Sequence, residues 1–262
     1  MTKFRIENDS MGEINVPVEK LWGAQTQRSL ENFPIGKDKM PLELIKAFAI
    51  QKKAAAISNI AIGKLSVDFG EKIIDVCDEI IIGKFNDQFP LSVWQTGSGT
   101  QTNMNLNEVI ANKANQMLGK ELGTYNPIHP NDHCNLGQSS NDSFPTAIHI
   151  AVVIQTNERL IPAIQNLHNA IEKKRKQFQD VIRIGRTHMQ DATPLTIGQE
   201  FSGFSSQIQN SLKRIEISLD EIYFLAQGGT AVGTGLNTSK KFISGFIEAT
   251  KMITGYNFKE SS

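Results

Sequence analysis

Cysteine is nearly missing from this sequence: Cys77 and Cys134 are the only two in 262 residues. Two thiols make no disulfide framework, so a reducing compartment is expected. Charge of one sign is missing too. The 27 basic and 27 acidic residues cancel, which removes the broad electrostatic case for nucleic acid or an anionic membrane as partner. No long apolar run occurs. The most apolar stretch, residues 147–154, falls far short of the ~20 residues that span a bilayer. The start, Met1 to Glu7, holds no apolar signal core and carries an acid too early for a transit peptide. The expectation is a soluble, cytoplasmic protein with length enough for one large domain or two small ones.

What the sequence does have is three short polar stretches. The first is Gln95-Thr96-Gly97-Ser98-Gly99-Thr100-Gln101. The second runs from His129-Pro130-Asn131-Asp132 on to Ser139-Ser140-Asn141-Asp142, and the third is Gly185-Arg186-Thr187-His188. Each precedes a segment with helical periodicity. Small polar residues at the positive end of a helix offer backbone N–H groups and neutral donors to carboxylates or phosphates. Three such places point to a small-anion enzyme rather than a scaffold.

The spacing between them predicts a mainly helical chain. Residues 1–40 read as an irregular arm with room for a short hairpin. Pro41 suits the first turn of a helix through Leu42, Ile45 and Phe48 to Ile62. A second helix carries Ile73, Cys77, Ile80 and Ile81 on one face and ends before Pro90; a third runs from near Thr102 to Gly119. Residues 120–142 form a long polar loop, a length that suggests function. From Ser143 a helix interrupted by Pro162 continues to the basic run at 173–176, and residues 185–193 form a loop. Ile197, Phe201, Phe204, Ile208, Leu212, Ile215, Leu219 and Ile222 then repeat at spacings of four and three. That is a coiled-coil-like stripe on a helix of ~30 residues, roughly 45 Å. A last helix through Phe242, Phe246 and Ile253 closes at Gly255. The stripe is expected to face helices that the chain itself does not contain.

Each polar stretch has a bland reading beside the functional one. Residues 97–100 lack the Gly-Lys-Ser/Thr of a nucleotide phosphate loop, and can be a turn that caps the next helix. The amides of Gln101, Asn103, Asn105 and Asn107 are poor helix formers, and tilt the reading toward binding. His129 and His133 stand four apart, but Pro130 argues against a helix there and no His-Glu-x-x-His is present, so a polar turn is read rather than a metal site. One of Ser139, Ser140, Asn141 and Asp142 can be an N-cap ahead of a first-turn Pro145, with donors to spare. His149 and His168 lie within helices as surface or packed residues. His188 lies in a loop beside Thr187, and a histidine there suits proton transfer near neutral pH.

Taken in order and at their separations, these stretches resemble the motifs of class II fumarases, of the fumarase/aspartase superfamily. The stretch Leu21-Trp22-Gly23-Ala24-Gln25-Thr26-Gln27-Arg28-Ser29 and the run Gln227-Gly228-Gly229-Thr230-Ala231-Val232-Gly233-Thr234-Gly235 match as well. Aspartate ammonia-lyases share most of the motifs but carry glutamine where this chain has His188. The resemblance implies a mainly α fold: an N-terminal lyase domain over 1–138, then part of a long-helix central bundle over 139–262, with the C-terminal domain absent. It implies reversible hydration of fumarate to (S)-malate, a step of the tricarboxylic acid cycle, with neither cofactor nor metal. By motif position Ser98, Gly99, Thr100, Asn141 and Thr187 bind substrate oxygens, with Ser139 and Ser140 beside them. His188 activates or positions the water. His129, Asn131 and Asp132 correspond to a secondary dicarboxylate site; relatives often carry a basic residue three positions earlier, where this chain has Asn126. The family is a homotetramer, each site drawing loops from three subunits.

One family motif has no counterpart in these 262 residues: a glycine-serine-serine loop followed by methionine-proline-x-lysine-x-asparagine. It supplies the proton-abstracting serine and two further substrate ligands. The expectation is therefore the N-terminal part of a fumarase, inactive by itself. The alternatives are a truncated, non-catalytic relative acting as an assembly partner, and an aspartate ammonia-lyase.

Overall fold

The computed structural model describes residues 3–261. The fold is mainly α, with eight α-helices and three two-stranded sheets among the described residues. No helix among them is long and apolar enough to cross a membrane. The chain forms two compact units, Met1–Ala151 with Tyr223–Ser262, and Val152–Ile222.

The first unit opens with the antiparallel hairpin β1 (Phe4–Asp9) and β2 (Gly12–Pro17), in register from Phe4↔Pro17 to Asp9↔Gly12. Arg5 ties it down, its guanidinium donating to the carbonyls of Pro17, Lys20 and Trp22 at 2.7–2.8 Å. Helix α1 (Ala24–Asn32) follows, where the sequence pattern predicts an irregular arm. Its signal is not local. Its N-cap Gly23 makes no side-chain cap; instead the Glu108 carboxylate accepts from the N–H groups of Gly23, Gln25 and Thr26 and from the Thr26 hydroxyl. A carboxylate from far along the chain thus satisfies the orphan donors of the helix.

Helix α2 (Leu42–Ala61) is buried on nearly every side and packs against α3 (Val67–Ile81), α4 (Thr100–Met117) and α8 (Lys240–Thr254). Phe48, Leu106, Val109, Ile110, Ile128 and Ile73 centre its core, each side chain contributing ~1.5–3 kcal/mol by leaving water. Local signals serve these helices well. Ser66 and Ser239 accept from the N–H groups of Phe69 and Phe242 as N-caps. Gly119, at φ +72, ends α4 with the Lys120 N–H returning to the Asn115 carbonyl, the pattern of a left-handed C-terminal turn.

The amides of α4 have a structural task that the sequence pattern does not separate from binding. Asn105 donates to Gln88 O, Asn112 to Leu21 O, and Asn115 pairs both ways with Ile128. They satisfy the backbone of loops crossing the helix, a requirement for any buried loop. The expected loop at 120–142 is also interrupted. Pro130–Cys134 forms a wide π-type turn, and α5 (Ser140–Gln155) starts early enough to place Pro145 inside the helix rather than in its first turn.

The second unit holds the end of the interrupted helix. A π-type turn (Thr156–Leu160) leads into α6 (Ile161–Gln177). It sits directly ahead of Pro162, which offers no N–H to the carbonyl four residues back. Beyond α6 the predicted loop is an antiparallel hairpin, β3 (Ile182–Thr187) and β4 (Gln190–Thr196), with a bulge between Ile184 and Arg186. Helix α7 (Ile197–Ile222) then packs on α6. Along the apolar stripe only Leu219 is buried, and Phe204 stays exposed. The last turns of the fold, β5 (Phe224–Leu225) and β6 (Lys259–Glu260), pair in parallel within the first unit.

Candidate active site

In the first unit, two helix N-termini are brought together. Gly99 is the N-cap of α4, at φ +70, and makes no side-chain cap. A Cβ there would lie 2.2 Å from Cγ of Phe144 on α5, so the glycine lets the loop sit on that ring. One turn on, Asn103 donates to Ser140 Oγ at 3.0 Å and to Asn135 Oδ1 at 3.1 Å. These contacts fix Ser98 and Thr100 relative to Ser139, Ser140 and Asn141.

The hydroxyls of the first loop face solvent and bond chiefly to one another. Ser98 Oγ and Thr100 Oγ1 are 2.9 Å apart, Thr96 Oγ1 and Ser98 Oγ 3.1 Å, and Thr96 also donates to Gln101. The capping is done by Gln95, whose Oε1 accepts from the Thr102 N–H and hydroxyl at 3.0 Å. Capping and binding are therefore divided among different side chains, which leaves a ladder of free-turning donors at the positive end of α4.

The second stretch is held by Asp142, which is buried. Its Oδ1 accepts from Ser139 N at 2.9 Å and Ser143 Oγ at 3.1 Å, its Oδ2 from Gly228 N at 3.0 Å and Thr230 N at 2.9 Å. Beside it Asn141 donates to Ala231 O at 2.7 Å. The glycine-rich run at 227–235 is thus pinned to the start of α5. Between that run and residues 131–139 lies an open cavity of ≈ 520 Å³, lined by Asn131, Asp132, Ser139, Thr230 and Asn237 among others.

His129 sets the wide turn rather than standing free. Its Nδ1 accepts from the N–H groups of Asn131 and Asp132 at 3.3 Å, and its own N–H donates to His133 Nδ1 at 2.8 Å. Burial holds His133 below its ordinary pKa. The Tyr125 ring stands edge-on to His129. A cavity of ≈ 230 Å³ beside them is lined by Asp9, Glu108, Gln25 and Asn131 among others. Arg28 holds Asp9 below the usual carboxylate range, and burial pushes Glu108 up to about 7 against the four donors that pull it down. Asn126 is exposed and carries no charge.

Thr187 and His188 belong to the second unit, at the tip of its hairpin. Thr187 pairs with Gln190, and the two turn residues His188 and Met189 both have positive φ, 50° and 60°. That is the backbone of a two-residue turn that matches strand twist, one that normally selects Asn-Gly. Non-glycine residues held there are strained, a feature that clusters at functional sites. Arg186 steadies the turn, donating to Met189 O at 2.8 Å. His188 is exposed, and its ring makes no hydrogen bond among the described residues. Elsewhere His168 meets Ser205 Oγ at 3.1 Å and His149 the Phe224 carbonyl at 2.8 Å, both structural contacts.

Sequence reasoning missed Asn103, Asn135, Gln138, Asp142 and Lys52 as a connected set. A signal did exist for Lys52: it lies three and four residues from Phe48, Ala49, Ala55 and Ala56, on the core face of α2.

Residues 12–262 match a protein family described as lyase. A class II fumarate hydratase from Brucella suis is 56% identical over 259 residues, covering 99% of this chain and 56% of its own length. A mitochondrial fumarate hydratase from Rhizopus oryzae is 55% identical over 261 residues, covering 99% and 53%. A crystal structure of recombinant class II fumarase from Schistosoma mansoni aligns with TM-score 0.93 at 44% identity, covering 99% of this chain and 56% of that one. The chain spans about half the length of the curated relatives it matches.

Proposed function

The chain belongs to this lyase family, and from that premise we propose that it serves a class II fumarate hydratase, interconverting fumarate and (S)-malate in the tricarboxylic acid cycle. The observation that carries the reading is the pairing of two hydroxyl- and amide-bearing helix starts through Asn103 and Ser140. A dicarboxylate substrate must be held by both ends, and extra negative charge develops on one carboxylate when the neighbouring carbon loses its proton. Donors already aimed at that oxygen stabilise it without reorganisation. Ser98, Thr100, Asn141 and the start of α5 supply such donors, with Ser139 and Ser140 beside them. Thr187 donates to a substrate oxygen, and His188 activates the water. His129, Asn131 and Asp132 form an outer dicarboxylate site. The domain boundary at 138/139, cytoplasmic location and a homotetramer with sites shared among subunits complete the proposal.

The proposal includes inactivity of the 262-residue chain by itself. It is supported by the exposed His188 ring, without a hydrogen bond among the described residues, and by the absence from this sequence of the proton-abstracting serine motif. The test follows the ultraviolet absorbance of fumarate with the chain alone and with the native assembly isolated through it from its own cells. Turnover by the assembly is expected, with kcat lowered at least ~100-fold by His188→Asn, the scale of general acid–base catalysis, and KM moved only a few-fold. Unaltered kcat in that variant refutes the role of His188, and enzymatic turnover by the chain alone refutes its inactivity.

A further inference from the structure

Lys52 is 1% exposed, in the middle of the most buried helix of the first unit. Its ammonium donates to Asn135 Oδ1 at 3.0 Å and to Gln138 Oε1 at 2.9 Å, and lies 5.4 Å from the centre of the Phe48 ring. Each of those two oxygens already has one other donor: Asn103 on Asn135, and Gln51 on Gln138. The remaining polar atoms of both side chains are spent within the same loop. Asn135 donates to Gln138 O, and Gln138 to the carbonyls of Cys134 and Leu136. The place thus asks for a group with several donors and no acceptor, which describes an ammonium. Its third direction meets the face of an aromatic ring.

What the ammonium holds is the approach to the candidate site. Residues 134–138 lead directly into Ser139, Ser140 and Asn141, and Asn103 ties the same Asn135 oxygen to Ser140 Oγ. We infer that Lys52 is a positioning residue, which acts through Asn135 and Gln138 to hold Ser139, Ser140 and Asn141 in place against the Ser98–Thr100 loop. The inference rests on the hydratase reading only for its kinetic consequence. Burial lowers the Lys52 pKa to about 7, partly offset by the nearby Asp142 carboxylate, so the positioning is strongest below neutral pH.

The test uses hydrogen exchange together with kinetics. Lys52→Met keeps an unbranched stem and removes the donors, leaving Asn135 Oδ1 and Gln138 Oε1 with their other donors, Asn103 and Gln51. At pH 6.5 the amides of residues 135–141 should exchange at least ~10-fold faster in that variant, with the β1–β2 hairpin and α3 unchanged; Gln138→Met, with Lys52 left in place, should loosen the same residues. In the native assembly Lys52→Met should lower kcat/KM for fumarate at least ~10-fold, chiefly through KM. Unchanged exchange at residues 135–141 in both variants, or acceleration spread evenly over the first unit, overturns the inference. Local loosening with unaltered kcat/KM overturns it as well. Local loosening in a protein whose wild type hydrates no fumarate upholds the positioning and refutes the hydratase reading instead.

Discussion

Replacing Asp142 by asparagine removes one oxygen from a carboxylate that accepts four hydrogen bonds, and the structure says which bond is lost. With the new NH2 turned toward Gly228 and Thr230, two buried backbone N–H groups would face a donor. Turned the other way it meets Ser139 N and Ser143 Oγ. The hydroxyl can rotate to accept, so only the Ser139 N–H is left unpaired. Loss of one bond to a carboxylate costs about 1.5–3 kcal/mol, a shift of roughly 4–8 °C in Tm at ~2 kcal/mol for a chain of this size. Asp142→Leu strands three backbone N–H groups at ~1–3 kcal/mol each, a sum that reaches the whole stability of many domains, ~5–15 kcal/mol. Urea unfolding of wild type, Asp142→Asn and Asp142→Leu measures the series. An asparagine variant within about 0.5 kcal/mol of wild type, or a leucine variant no worse than asparagine, refutes the reasoning.

At pH 8, with the carboxylate ionised, Glu108→Gln keeps an acceptor at the position that serves Gly23 and Thr26 and loses the bond from Gln25, so it should cost about 1.5–3 kcal/mol there, while Glu108→Leu should release α1 altogether, read as lost hydrogen-exchange protection at residues 24–32. The pH sign follows from the raised pKa: the folded state holds a proton that the unfolded chain has released, so this contribution to stability is full below about 4.5 and is lost as pH rises through about 7. Denaturation midpoints measured from pH 4 to 8 should lose that slope in Glu108→Gln. Gly99→Ala would place a methyl within 2.2 Å of the Phe144 ring at φ +70; overpacking of that kind costs about 1–3 kcal/mol, and kcat/KM for fumarate should fall with it as the two helix starts separate.

Much of the fold was legible because its signals are local. Pro41 ahead of α2, glycines closing α4 and α8, and the core periodicity of α3 all act within a few residues. What escaped was long-range or concealed by composition. Helix α1 depends on Glu108, more than 80 residues away. The hairpin at 182–196 alternates Ile182 and Ile184 like a strand, but its turn carries His188 and Met189 where Asn-Gly would announce it. The asparagines of α4 look like binding groups, and the structure divides them: Asn105, Asn112 and Asn115 serve loop backbone, while Asn103 serves the site. The motif residues themselves were visible from their small, hydroxyl-rich composition. Asp142 was visible only as a possible cap, and its hold on Gly228 and Thr230, like the link of Lys52 to Asn135 and Gln138, was not, because each acts through partners that only the fold assembles.

The most direct measurement is the identity of the product formed from fumarate by the native assembly in buffer containing ammonium, read by proton NMR. Malate alone, lost in His188→Asn, is the predicted result. Aspartate as the product, or fumarate left unconsumed by the wild-type assembly, would contradict the hydratase assignment.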